Sequence, residues 1–133
     1  MFTETFEPRF VDTDALGHIN NTAIPIWFEG CRTPIFRWFT PDLDPKQWRI
    51  ILARYTVEFH AEIFYQAPVE IRTGISRVGG SSFDVYQEVW QSGHKCASGT
   101  TVLVHFNHST KKAEPIPDDI RQRMLEHTFV ASD

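Results

Sequence analysis

Residues 49–65 read RIILARYTVEFHAEIFY, and this stretch decides the architecture. One phase carries Ile51, Ala53, Tyr55, Val57, Phe59, Ala61, Ile63 and Tyr65, while the other carries Arg54, Thr56, Glu58, His60 and Glu62. Successive side chains of a strand point to opposite faces, so the alternation predicts a strand with one face buried. It is about three times the usual strand length, which predicts a bend or bulge within it. Gln66-Ala67-Pro68 ends the run, and Val69, Ile71, Thr73 and Ile75 open a second strand. Gly79-Gly80-Ser81-Ser82 reads as a hairpin in which glycine supplies positive φ. Phe83, Val85 and Val89 mark a third strand, Gln91-Ser92-Gly93 turns again, and Cys96 to Phe106 alternates as a fourth. These four are expected to form an antiparallel meander, joined by a short strand around Thr5 to Val11.

Upstream lies Thr22 to Phe39, whose apolar residues run almost all the way round a helical wheel, which predicts a buried helix. Asn21 or Thr22 is its expected cap, Glu29 is placed to pair with Arg32, and Pro25 is tolerated in the first turn if Thr22 is the cap. Pro34 removes a bond to the Gly30 carbonyl and predicts a kink or an early end. Pro115 to His127 reads as a short helix with Ile120 and Met124 turned inward. The expectation is an α+β domain over residues 1–133: a long antiparallel sheet curled around a buried central helix. Such a sheet has an exposed edge that a second subunit can cover, so a homodimer or homotetramer is expected.

The composition narrows the function. With 133 residues, one domain is expected. A net charge of −4, from 13 Lys+Arg against 17 Asp+Glu, argues against nucleic acid as a partner, because no basic stripe is available to displace counterions. No stretch approaches the roughly 18 apolar residues of a membrane span. The opening MFTETFEPRF lacks the basic flank and apolar run of a secretory signal, and Cys31 and Cys96 suit reduced thiols better than a disulfide framework. A cytoplasmic protein is expected. Four Trp, three Tyr and eleven Phe demand burial in a core, a pocket or an interface.

The chemistry concentrates in residues 9–21, RFVDTDALGHINN, between a strand and the helix. Two aspartates beside a helix start serve as turn or cap residues, or one of them acts as a nucleophile or general base. In the second case an electrophile would sit at the helix N-terminus, where free N–H groups and the positive dipole end stabilise an oxyanion. His18 either bonds loop backbone or orients water or a carbonyl. The six histidines and two cysteines show no metal-ligand spacing, and no phosphate loop, serine elbow or dinucleotide fingerprint occurs. No metal or cofactor is expected.

Residues 9–32, RFVDTDALGHINNTAIPIWFEGCR, resemble the opening signature of the hotdog-fold acyl-CoA thioesterases, nearest to their 4-hydroxybenzoyl-CoA thioesterase-like branch. The signature is D-x-D, then G-H-x-N-N, then an aromatic helix ending in F-E-x-x-R. The resemblance implies a helix wrapped by a sheet of five or six strands, in dimers or tetramers with active sites at subunit interfaces. It implies hydrolysis of an acyl thioester carried by coenzyme A or an acyl carrier protein, since the turn from Arg77 to Ser82 holds a single Arg where relatives that bind coenzyme A often hold several basic residues. It puts the catalytic carboxylate on Asp14, a catalytic part on His18 and the carbonyl-polarising N–H near Asn21, and leaves Asp12 structural. Gly17, Asn20, Trp27 and Phe28 are the expected substrate-binding residues, with the acyl group along the two aromatics. The rival expectation is a hotdog protein that binds acyl groups or serves as an assembly partner without hydrolysis.

Overall fold

The computed structural model describes residues 1–131. Its sheet is antiparallel and built from β1 (Phe2–Phe6), β2 (Ile50–Phe59), β3 (Val69–Val78), β4 (Ser82–Gln91) and β5 (His94–Asn107). A short hairpin return, β6 (Lys112–Ala113), adds to the end of β5. The first helical stretch breaks in two, α1 (Ala23–Cys31) and α2 (Thr33–Phe39), with Arg32 at the joint and Pro34 in the first turn of α2. The last helix is α3 (Asp118–Glu126), and it buries Ile120 and Met124 as its spacing predicts.

Strands β3, β4 and β5 form the expected meander, but β2 does not lie beside β3. The order is β1-β3-β4-β5-β2, with β2 paired to β5 at the far edge. Alternation reports which faces are buried; it carries no information about neighbours. The segment 60–68, which the alternation assigns partly to the strand, instead carries the chain from one side of the sheet to the other. Buried Gln91 holds this crossing: its Oε1 accepts from Phe64 N (2.9 Å), and its Nε2 donates to the carbonyls of Phe64 (2.8 Å) and Ala67 (2.9 Å). The N-terminal strand also lies earlier than expected, at Phe2–Phe6, because the segment beyond it turns through a single 3-10 turn at Phe10–Asp12.

The predicted bulge in β2 is present between Leu52 and Arg54. It shifts the phase, so Leu52 ahead of it and Tyr55, Val57 and Phe59 after it share the inner face with Leu103, Thr101, Gly99 and Ala97 of β5. That inner face is not buried within the chain: Leu52, Tyr55 and Phe59 are 42, 53 and 52% exposed. Helix α1 explains why. It packs Ala23, Ile24, Trp27, Phe28 and Cys31 against the sheet, but Glu29 and Gly30 face outward and Ile26 is 64% exposed. An all-round apolar wheel therefore does not bury the whole helix here; one face of α1 is buried and its flank beside β2 is open.

Glycines mark the close approaches. A Cβ on Gly99 would meet the Thr56 carbonyl at 2.8 Å and Phe28 Cε2 at 2.9 Å, so this position lets α1 lie down on the sheet. The turn at 79–82 does not use positive φ; Gly79 is there because a Cβ would meet the Ser82 carbonyl at 3.0 Å. Positive φ is used at the next turn, by Ser92 (52°) and Gly93 (79°).

Candidate active site

The loop 12–22 is organised by its own polar side chains. Asp12 is buried and receives the Arg9 backbone N–H at 2.9 Å and its guanidinium at 3.2 Å. Burial works to raise the Asp12 carboxyl, but the Arg9 N–H and guanidinium, with a further bond from Trp27, outweigh it and hold it below the usual carboxylate range. Asp12 is thus an anchor. Its carbonyl also accepts the Asn20 N–H at 2.7 Å, which closes the loop on itself.

Asp14 sits two residues on, and its Oδ1 accepts two backbone N–H groups, from Leu16 (2.8 Å) and His18 (3.1 Å). Its own N–H donates to the His18 carbonyl at 2.7 Å. This tight turn passes through Gly17 at φ +84°, a conformation that favours glycine. Both readings of the aspartate are therefore present in one side chain: Oδ1 builds the turn, while no hydrogen bond from a described residue reaches Oδ2. The His18 ring stands edge-on to Phe64, centroids 5.3 Å apart, and its Nε2 lies 3.3 Å from Glu62 Oε2.

At the start of α1, Thr22 holds the N-cap position, one of the two expected, but its side chain makes no capping bond. Asn20 braces Thr22, its Oδ1 accepting both the N–H (3.0 Å) and the hydroxyl (3.0 Å) of that residue. The N–H groups of Ala23 and Ile24 turn back to the carbonyls of Asn20 and Asn21. Pro25 has no N–H to give. What remains is the Asn21 N–H, which has no hydrogen-bond partner among the described residues. It lies at the positive end of the helix dipole.

Asp14, His18, Asn20 and Asn21 all line one cleft of about 690 Å³. Its apolar wall is Leu16, Ile19, Ile24, Phe59 and Ile63, and its far rim is His60, Ala61 and Glu62. Trp27 and Phe28 are not part of this wall. They are core side chains, 6 and 2% exposed, with Trp27 packed edge-on to Phe6. Gly17 shapes the turn without lining the cleft. Residues 59–63, and Glu62 above all, were missed because the alternation up to Tyr65 concealed the end of β2 at Phe59. Among the described residues no three His, Cys, Asp or Glu side chains converge on a metal-sized position.

Two further expectations fare differently. Cys31 is a buried core thiol, and burial, reinforced by Glu4, pushes it up to about 12. The Glu29–Arg32 pair does not form. Arg32 turns under α1 instead, where its Nη1 donates to Gln87 Oε1 and Thr101 Oγ1, each at 3.2 Å. Burial pulls that guanidinium below its usual value, with Glu29 opposing the shift.

Comparison with known proteins gives this geometry its setting. Residues 8–124 match the model of the thioesterase-like superfamily. The chain belongs to the thioesterase-like superfamily. It is similar to a predicted thioesterase from Bacillus stearothermophilus, at 45% identity and a TM-score of 0.94, with 98% of each chain covered. It is also similar to a Thermus thermophilus thioesterase solved with coenzyme A and Zn, at 28% identity and a TM-score of 0.81, covering 92% of this chain and 95% of that one. A third structure, BH1999 gentisyl-coenzyme A thioesterase, is 25% identical with a TM-score of 0.77, covering 92 and 99%. Among curated proteins, the uncharacterized protein YsmA of Bacillus subtilis is 28% identical over 121 residues, 90% of this chain and 82% of YsmA. The superfamily member described here is thus a thioesterase-type enzyme on a hotdog-type sheet. No helix of the described residues is long and apolar enough to cross a membrane.

Proposed function

We propose that this thioesterase hydrolyses an acyl-CoA to the free acid and coenzyme A, with Asp14 as the catalytic carboxylate. One observation carries the reading: a carboxylate clamped through Oδ1 by two backbone N–H groups, with Oδ2 unbonded, shares a cleft with the unpartnered Asn21 N–H at the start of α1. The thioester carbonyl oxygen accepts the Asn21 N–H, where dipole and amide stabilise the oxyanion. Asp14 Oδ2 then either attacks the carbonyl carbon, forming an anhydride that water opens, or takes a proton from the water that attacks. In both routes the C–S bond breaks and the thiolate leaves with its electron pair, a leaving group good enough to need no metal or redox partner.

His18, braced by Glu62 and Phe64, orients the water or the substrate carbonyl. Asn20 supports the site by holding Thr22, the N-cap of α1, and Gly17 by permitting the turn that fixes Oδ1. Trp27 and Phe28 support the acyl site from beneath, as the packed base on which α1 rests. The exposed inner face of β2 and the exposed Ile26 favour a homodimer formed along the β2 edge, in which a partner would close the cleft where Phe59, His60 and Glu62 leave it open, and α1 would become central and buried. Acyl-CoA is favoured over a carrier-protein ester because the Thermus thermophilus structure holds coenzyme A and the BH1999 protein is named for a coenzyme A ester. Residues 1–133 act as one domain, in the cytoplasm, where that substrate class is found. The test is thiol release from short, long and aromatic acyl-CoAs. Turnover of at least one supports the reading; none on any ester, carrier-protein esters included, leaves a hotdog protein that binds without hydrolysing.

A further inference from the structure

At the end of the sheet remote from the cleft, His105 of β5 is buried, 7% exposed, under Phe39 at the end of α2, with ring centroids 5.3 Å apart. Its Nδ1 lies 2.9 Å from the Pro115 carbonyl oxygen and 3.2 Å from that of Glu114. Carbonyl oxygens only accept, so Nδ1 carries the hydrogen, and in the neutral ring Nε2 keeps a lone pair. No described residue donates to Nε2, and that atom is open to solvent. Polar groups on a residue buried this deeply are ordinarily paired, and an acceptor left without a donor costs stability.

His105 lines a cavity of about 570 Å³, a volume in the range of small-molecule sites. Phe39, Pro41, Pro117 and Ile120 give it apolar walls. The other polar groups of the lining are used within the chain or stand at the surface. Thr40 Oγ1 donates to the Gln47 carbonyl (3.2 Å), and Asp42 Oδ1 accepts the Asp44 N–H (3.1 Å). Gln47, Asp42 and Arg49 are exposed residues. Asp42 and Arg49 give the lining one charge of each sign, both screened by solvent, so it favours neither an anion nor a cation. None of the lining belongs to the catalytic cleft or to the face of β2 given to a second subunit, Leu52, Tyr55 and Phe59. His105 pairs with Ile50 at the start of β2, while the cleft meets Phe59 at its end, roughly 30 Å away at the rise of a strand.

We infer that this cavity is a second ligand site, which takes a neutral phenol whose hydroxyl donates to His105 Nε2. The site is separate from the thioesterase chemistry and does not depend on it. A phenol joins the one donor that Nε2 lacks to an apolar ring that packs against Phe39 and the two prolines. Its hydroxyl is a stronger donor than that of an aliphatic alcohol, and its rigid ring loses little freedom on binding.

The experiment titrates 4-propylphenol and 4-propylanisole, the same body with its hydroxyl methylated, into the intact protein labelled with nitrogen-15. The ring nitrogens of His105 are followed by NMR, assigned by correlation to its backbone. Expected is a saturable shift of His105 Nε2 with the phenol, and binding about tenfold tighter than that of the ether. His105→Phe, which keeps a ring under Phe39 and lacks Nε2, binds the two compounds alike. Equal affinity of the wild-type protein for phenol and ether, or an Nε2 resonance that the phenol leaves unmoved, overturns the inference, and neither result needs a variant to fold. A hydrogen found on Nε2 and none on Nδ1 in the free protein also overturns it. Thiol release from an acyl-CoA is read beside the titration. Phenol bound at His105 leaves KM unchanged, whereas a raised KM with Nε2 unmoved puts the phenol in the catalytic cleft and overturns the second site.

Discussion

Replacing Gly99 by Ala tests how α1 sits on the sheet. The added Cβ would lie 2.8 Å from the Thr56 carbonyl and 2.9 Å from Phe28 Cε2, so β2 or the Phe28 ring must yield by about half an ångström to reach ordinary contact. Phe28 is fully packed and the Thr56 carbonyl belongs to the ladder between β2 and β5, so neither moves freely. Overpacking of this kind costs about 1–3 kcal/mol. For a chain of this size each 1 kcal/mol lowers Tm by roughly 4 °C, giving a fall of about 4–12 °C. Urea unfolding and thermal melts read the loss, with Gly80→Ala as control, since a Cβ there meets nothing within 4 Å. Phe28→Leu in the Gly99→Ala background should recover part of the loss relative to Phe28→Leu alone, the coupling expected of residues in contact. A Gly99→Ala protein as stable as wild type would refute the placement of α1 over β5.

Other consequences follow from the same packing. The Asp12 carboxyl is held below its unfolded value of about 3.9, so its stabilisation is present above that pH and is lost as pH falls through the folded value. Asp12→Asn should therefore destabilise the protein at pH 7 and flatten its loss of stability between about pH 5 and pH 3, as urea midpoints will show. Cys31 and Cys96 are buried with raised thiol values, so neither should react with a chromogenic thiol reagent in the native protein, and both should react in denaturant. Tyr55→Glu, on the exposed inner face of β2, should convert the proposed dimer to monomer on sedimentation and reduce turnover with it.

The loop from Asp12 to Asn21 was legible because its chemistry is local. Turns closed by Asp and Asn side chains, a glycine at positive φ and a helix start are all set within a few residues, and the cleft gathers four of the residues singled out there. The break at Pro34, the bulge in β2 and the inward face of α3 were legible for the same reason. Strand neighbours were not. Nothing in the alternation of residues 49–65 says that β2 pairs with β5; that choice depends on Gln91 holding the crossing segment and on Gly99 admitting Phe28, contacts between residues far apart in the chain. Trp27 and Phe28 show the same limit, since an aromatic residue fills a core or a pocket with equal chemistry. Glu62 was hidden by a pattern that continues past the end of its strand.

The central claim is that the unbonded oxygen of Asp14 performs the chemistry at the start of α1. Thiol release from the best acyl-CoA, measured side by side for wild type and Asp14→Asn, tests it most directly, with far-UV and near-UV circular dichroism to confirm that the variant is folded. Asn keeps an oxygen for the Leu16 and His18 N–H groups and removes only the carboxylate function. The account predicts a fall in kcat of about 10²–10⁴-fold with little change in the fold. A folded Asp14→Asn protein that turns over at the wild-type rate would contradict it.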